Sequence, residues 1–129
     1  MKNDAVTASA TTLPGLLRHN AAAIGTRPAV REKDRGIWRT FTWAQYYDEV
    51  RDFALGLAAH GFKRGDKLSV IGDNRPRLYW AQVAAQSLGG IAVPVFQDSI
   101  ASKEFHLSLK HRRKIELATL VLAQLPSFH

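Results

Sequence analysis

The residue types in this sequence that could do chemistry fall in a few places. Lys110-His111-Arg112-Arg113-Lys114 is a run of cations. Such a run releases counterions from nucleic-acid phosphates and is drawn to anionic lipid. No aromatic residues interleave with it for base stacking, and no binding motif surrounds it, so a solvated basic face is the plainer reading. Gly72-Asp73-Asn74-Arg75 stands where a strand runs into a helix, the usual position of a phosphate loop. It fits neither G-x-G-x-x-G nor a glycine-rich loop ending in G-K-[ST]. Asn74 therefore reads as a helix cap rather than a ligand contact. Arg75 and Arg77 could meet an anion there, but their charge opposes the helix dipole, and solvated arginines are the simpler account. The five histidines, His19, His60, His106, His111 and His129, are scattered. His106 and His111 miss the i, i+4 spacing of a helical metal pair, and no G-x-S-x-G elbow marks a nucleophilic serine.

The elements that must position these residues are legible from periodicity. Thr12 and Pro14 open a helix over Leu13–Ile24, with Leu13, Leu16, Leu17, Ala21 and Ile24 apolar and Gly25 as its stop. Pro28 to Lys33 and Ile37 to Thr42 flank Asp34-Arg35-Gly36, the turn chemistry of a hairpin. Thr42 and Gln45 form a T-x-x-Q capping box ahead of a helix over Trp43–His60, with Tyr46, Val50, Phe53, Ala54, Leu57 and Ala58 on one face. Gly61 ends it, Phe62 folding back as in a Schellman cap. Leu68 to Ile71 is a short strand, and Asn74 caps a helix over Arg75–Leu88 that Gly89-Gly90 closes. Ile91 to Phe96 follows as a strand, and a further helix begins after Ser99.

Strand, helix and strand over Leu68 to Phe96 make a βαβ unit with parallel strands and a right-handed crossover. The fold class is α/β, an incomplete three-layer type with a hairpin and one parallel unit. Parallel strands need cover on both faces, and this sheet looks unfinished, with Val93, Val95 and Phe96 as an apolar edge. The three tryptophans fit core or half-buried roles, Trp38 and Trp43 bracketing the second strand and Trp80 on the crossover helix.

Composition limits the function classes. The 129 residues, 46% hydrophobic and 22% charged, make one domain at most, with an ordinary globular balance. The sequence contains no cysteine, which excludes disulfides and thiolate metal sites. Its longest apolar run is far short of the ~20 residues of a membrane span, and Met1 to Thr12 has no secretory h-region. The expected location is cytoplasmic, or peripheral to the inner face of the membrane. The net charge is +7, and the stretch after Asp98 holds a disproportionate share of it.

Four short motifs, in order and at consistent spacing, carry a resemblance. They are Thr42-Trp43 with Tyr46, Gly61-Phe62 through Gly65-Asp66-Lys67, Asn74-Arg75-Pro76, and Gly89-Gly90 through Val93-Pro94 to Asp98-Ser99. Together they resemble the N-terminal part of AMP-forming acyl-CoA synthetases, closest to the bacterial long-chain fatty acid CoA ligases. The likeness runs from about Leu13 to Ala101 and weakly on through Glu104, Leu109 and His111. The expected division is a flexible arm at 1–12, whose residues are small and polar without periodicity, a partial adenylate-forming domain at 13–111 and a divergent basic and apolar tail at 112–129. The resemblance implies a two-step reaction, in which a fatty acid and ATP give acyl-adenylate and pyrophosphate, and CoA then displaces AMP. ATP, Mg²⁺ and CoA belong to the full-length family. Its Ser/Thr/Gly-rich phosphate loop, adenine contacts, ribose-binding aspartate and C-terminal lysine have no counterpart here. Accordingly no residue is assigned a catalytic, cofactor-binding or metal-binding role. The expectation is a truncated or frameshifted scaffold, inactive alone, whose partners are the remaining ligase segments or a second copy. The alternatives are a small basic module binding nucleic acid or anionic lipid through Lys110–Lys114, and an inert structural fragment.

Overall fold

The computed structural model of the protein describes residues 12–95, and within them each helix begins and ends where nearby groups satisfy its termini. Thr12 is extended and its Oγ1 accepts from Gly15 N–H, opening α1 at Leu13–Ile24. Helix α2, Trp43–Ala59, starts on the expected capping box: Gln45 N–H donates to Thr42 Oγ1 at 3.3 Å, and Thr42 N–H to Gln45 Oε1 at 2.9 Å. It closes in a Schellman motif, Phe62 N–H reaching Leu57 O and Gly61 N–H reaching Ala58 O, with Gly61 at φ 89°. Helix α3, Pro76–Ser87, ends the same way, Gly90 N–H on Ala85 O and Gly89 N–H on Gln86 O. These bounds lie within a residue of those read from the sequence.

One cap is not where the sequence suggested. Arg75, not Asn74, is the N-cap of α3, and it makes no side-chain cap hydrogen bond. The reason is Pro76: its ring drives the preceding residue out of helical backbone, and Arg75 sits at φ −116°, ψ 162°. Asn74 instead accepts a hydrogen bond on Oδ1 from the Tyr79 hydroxyl.

The hairpin pairs β1, Pro28–Asp34, antiparallel with β2, Ile37–Thr42. Its turn is the two residues Arg35 and Gly36, both at positive φ, so β1 runs through Asp34, opposite Ile37. Register divides its side chains between two faces. Arg31, Lys33, Trp38 and Thr40 share one, and Glu32, Asp34, Ile37, Arg39 and Phe41 the other. Phe41 packs edge-on against Trp80, with ring centroids 5.3 Å apart, so the second face is turned toward α3. Trp38 therefore departs from its expected role: it lies on the outer face and is 65% exposed, whereas Trp80 is buried.

Strands β3, Lys67–Ile71, and β4, Ile91–Val95, are parallel and joined through α3, as expected for a βαβ unit. Leu68 and Val70 alternate inward and join Trp80, Ala81, Ala84 and Ala85 of α3 in one core with Leu17, Val50, Ala54, Leu57 and Phe62. Small residues on α3 let the strands approach it closely, and fully burying a leucine such as Leu68 stabilises by about 1.5–3 kcal/mol. Helix α3 is the hub, touching α1, α2, β1, β3 and β4. The opposite face of the β3–β4 pair has no such cover, for Ile91 is 51% and Val93 39% exposed. The helix expected after Ser99, the 1–12 arm up to Thr11 and the Lys110–Lys114 run lie outside the described residues.

Candidate functional site

The turn from β3 into α3 is the position at which α/β folds gather ligand-binding groups, just beyond the carboxyl ends of parallel strands. Here it borders an open groove of about 470 Å³, with the β1 stretch Val30, Arg31, Glu32 and Lys33 on one side and Asp73, Asn74, Arg75 and Tyr79 on the other. The Arg75 guanidinium lies between two carboxylates, 3.7 Å from Asp34 Oδ1 and 3.9 Å from Asp73 Oδ2. Asp34 is shared with Arg39 at 3.9 Å. These pairs are long and partly solvated, so each contributes less than about 1 kcal/mol. Their effect is positional: Arg75 ties the hairpin to the start of α3.

A nucleotide's phosphates do not fit this turn. Arg75 N–H is committed to Asp73 O at 2.7 Å, Leu78 N–H to Arg75 O at 3.0 Å, and Pro76 has no N–H to offer. The backbone donors that make a helix start attractive to an anion are thus largely used. The Asp73 carboxylate adds repulsion. Among the described residues no group of three or more His, Cys, Asp or Glu could hold a metal ion. The arrangement positions elements; it does not assemble a nucleophile, base or phosphate clamp.

Two participants escaped the sequence reading. Tyr79 hydrogen-bonds Asn74, and it also acts electrostatically on Tyr46: burial first, and then the Tyr79 phenol, push the Tyr46 hydroxyl above its ordinary pKa. Asp34 looked like a turn residue and instead receives both Arg39 and Arg75. The only available signal was the alternation of β1, which sets Asp34 on the same face as Glu32. Trp80 Nε1 is buried with no hydrogen-bond partner, so its ring serves the core through packing, including the edge-on contact with Phe41.

A helix, a hairpin, a second helix and a βαβ unit, in this order, make the fold of an N-terminal segment of the adenylate-forming enzymes. A fatty acid AMP ligase from Legionella pneumophila has the same fold over 76% of this chain and 18% of its own, with TM-score 0.70 and 21% identity. Residues 17–111 match the AMP-binding enzyme family, and the chain belongs to it. It is 30% identical over 90 residues to a long-chain-fatty-acid–CoA ligase of Rattus norvegicus, a match covering 70% of this chain and 14% of that protein. It is 34% identical over 83 residues to 4-hydroxybutyrate–CoA ligase 2 of Metallosphaera sedula, covering 63% of this chain and 15% of the relative. The chain thus spans about one-seventh of the length of these relatives, and corresponds to an N-terminal portion of an acyl-CoA ligase. No helix among the described residues is long and apolar enough to cross a membrane.

Proposed function

We propose that residues 13–111 are the opening part of the large N-terminal domain of a long-chain acyl-CoA ligase, serving as scaffold rather than as reaction centre, with 112–129 outside that domain. One observation carries this: the β3–β4 pair is covered by α3 on one face and leaves Ile91 and Val93 exposed on the other. A parallel sheet in this condition needs further strands and a second layer. In the complete enzyme a fatty acid carboxylate attacks ATP, with Mg²⁺, to give acyl-adenylate and pyrophosphate, and CoA's thiol then displaces AMP. The adenylate is what turns a poor acyl donor into a reactive one. The described residues supply the floor on which such a site is built, and the ATP, Mg²⁺ and CoA contacts come from the remaining ligase segments. Long-chain substrates are supported by the rat relative. A cytoplasmic location follows from the same reading.

The test is fatty-acid-dependent exchange of labelled pyrophosphate into ATP. The chain alone should show no exchange. Mixed with a polypeptide carrying the rest of a related ligase, it should show exchange that is greatest with long-chain acids. Exchange by the chain alone would overturn the scaffold reading, and a restored activity confined to short acids would overturn the long-chain assignment.

A further inference from the structure

The hairpin separates its charges in a way that the scaffold role does not require. Its six charged residues are Arg31, Glu32, Lys33, Asp34, Arg35 and Arg39. Both carboxylates fall on the face turned toward α3, where Asp34 meets Arg39 and Arg75. The opposite face carries Arg31, Lys33, Trp38 and Thr40, all exposed, and no acid. Lys33 Nζ stands 6.0 Å from the Trp38 ring centroid, a loose cation–π contact that holds the ammonium over the indole. At the tip, Arg35 is exposed and Ile37 is 68% exposed next to Trp38 at 65%. Ile37 points to the other face, so the outer face presents a single large apolar side chain, Trp38, among the cations Arg31, Lys33 and Arg35.

We infer that this outer face of the hairpin docks on an anionic bilayer surface, with Trp38 in the headgroup region and Arg31, Lys33 and the turn residue Arg35 on lipid phosphates. Trp is the side chain best suited to that depth, its ring apolar and its N–H polar. Cations near an anionic leaflet each strengthen attachment about fivefold. The charge complementarity is specific to this face, since the acidic side of the same hairpin is turned inward. A single exposed indole is a poor platform for a nucleic-acid strand, whose binding rests on successive stacked bases. One shallow insertion plus three cations gives reversible attachment, in keeping with the two-signal logic of peripheral binding.

Co-sedimentation of the full chain with vesicles tests this, using phosphatidylcholine alone and an equimolar mixture with phosphatidylglycerol. The chain should pellet with the mixed vesicles, and less so as salt rises. Because Lys110–Lys114 is also basic, R31Q/K33Q is compared with R112Q/R113Q, equal in charge removed. The hairpin pair should weaken partition by roughly 25-fold, at about fivefold per cation. W38A should weaken it several-fold and abolish the vesicle-induced blue shift of tryptophan emission. Trp38, Arg31 and Lys33 are exposed, and unchanged circular dichroism will confirm that the variants fold. Equal binding to neutral vesicles would overturn the inference. So would partition that R31Q/K33Q and W38A leave unchanged, or a preference for single-stranded oligonucleotide over mixed vesicles.

Discussion

Gly90 sits where the ends of α2 and α3 meet, and a single methyl group there should be costly. A Cβ built at Gly90 would lie 2.5 Å from Phe62 Cζ and 2.9 Å from the Asp66 carbonyl oxygen. Neither neighbour can give way cheaply. Phe62 is 8% exposed within the core, and Asp66 O accepts the Ile91 N–H at 2.8 Å, the bond that brings β4 beside β3. Overpacking of this kind costs about 1–3 kcal/mol, and because one of the two obstacles is backbone, G90A should fall at the upper end. For a domain of this size that lowers the melting temperature by on the order of 10 °C. The second half of the test uses F62L, which deletes the distal ring atoms that collide while keeping an apolar side chain. F62L alone should cost on the order of 1 kcal/mol. In the double variant the losses should sum to at least ~1 kcal/mol less than the two singles, a coupling typical of residues in contact. Urea unfolding followed by tryptophan emission, with unchanged slope, measures all four proteins. G90A as stable as the parent, or strictly additive losses, would refute the packing argument.

Other outcomes follow from the helix ends and the half-buried phenol of Tyr46. T42A removes one half of the α2 capping box and should destabilise by about 1 kcal/mol, read by thermal melting; adding Q45A should cost little more, because the two bonds are reciprocal. Tyr46 has its pKa raised in the folded state. The folded chain then holds that proton more tightly than the unfolded one, so stability is fully present below about pH 10 and declines as pH climbs through the folded pKa. Urea midpoints measured over the alkaline range should show this decline, and Y46F should flatten it. Identical alkaline profiles for parent and Y46F would show that Tyr46 is not the group responsible.

The sequence revealed the parts of the fold governed by local chemistry. Thr42 with Gln45, Gly61 before Phe62, and Gly89-Gly90 each constrain a few neighbouring bonds, and the helices they delimit lie where those residues require. Asn74 misled because two local rules compete at that turn: an asparagine favours capping, but the proline two residues on restricts Arg75 more strongly. Trp38 misled for a different reason. Which face of a two-stranded hairpin is buried depends on what packs against it, and only the Phe41–Trp80 contact across the fold reveals that. The ties from Arg75 to Asp34 and from Tyr79 to Asn74 were likewise hidden. The first joins residues far apart in sequence, and the second depends on the side-chain course of the first helical turn.

The uncovered side of the β3–β4 pair also bears on timing. From α2 through β4 each element packs on one close to it in sequence, so the loops that must close are short and cheap in entropy. In a longer ligase made from its N-terminus, this run can settle early, leaving Ile91 and Val93 facing water until the next strands emerge. During that interval the same apolar face is open to the matching face of a neighbouring nascent chain. The speed of translation just beyond this region then becomes a determinant of yield: slow synthesis lengthens the exposure, and rapid synthesis ends it.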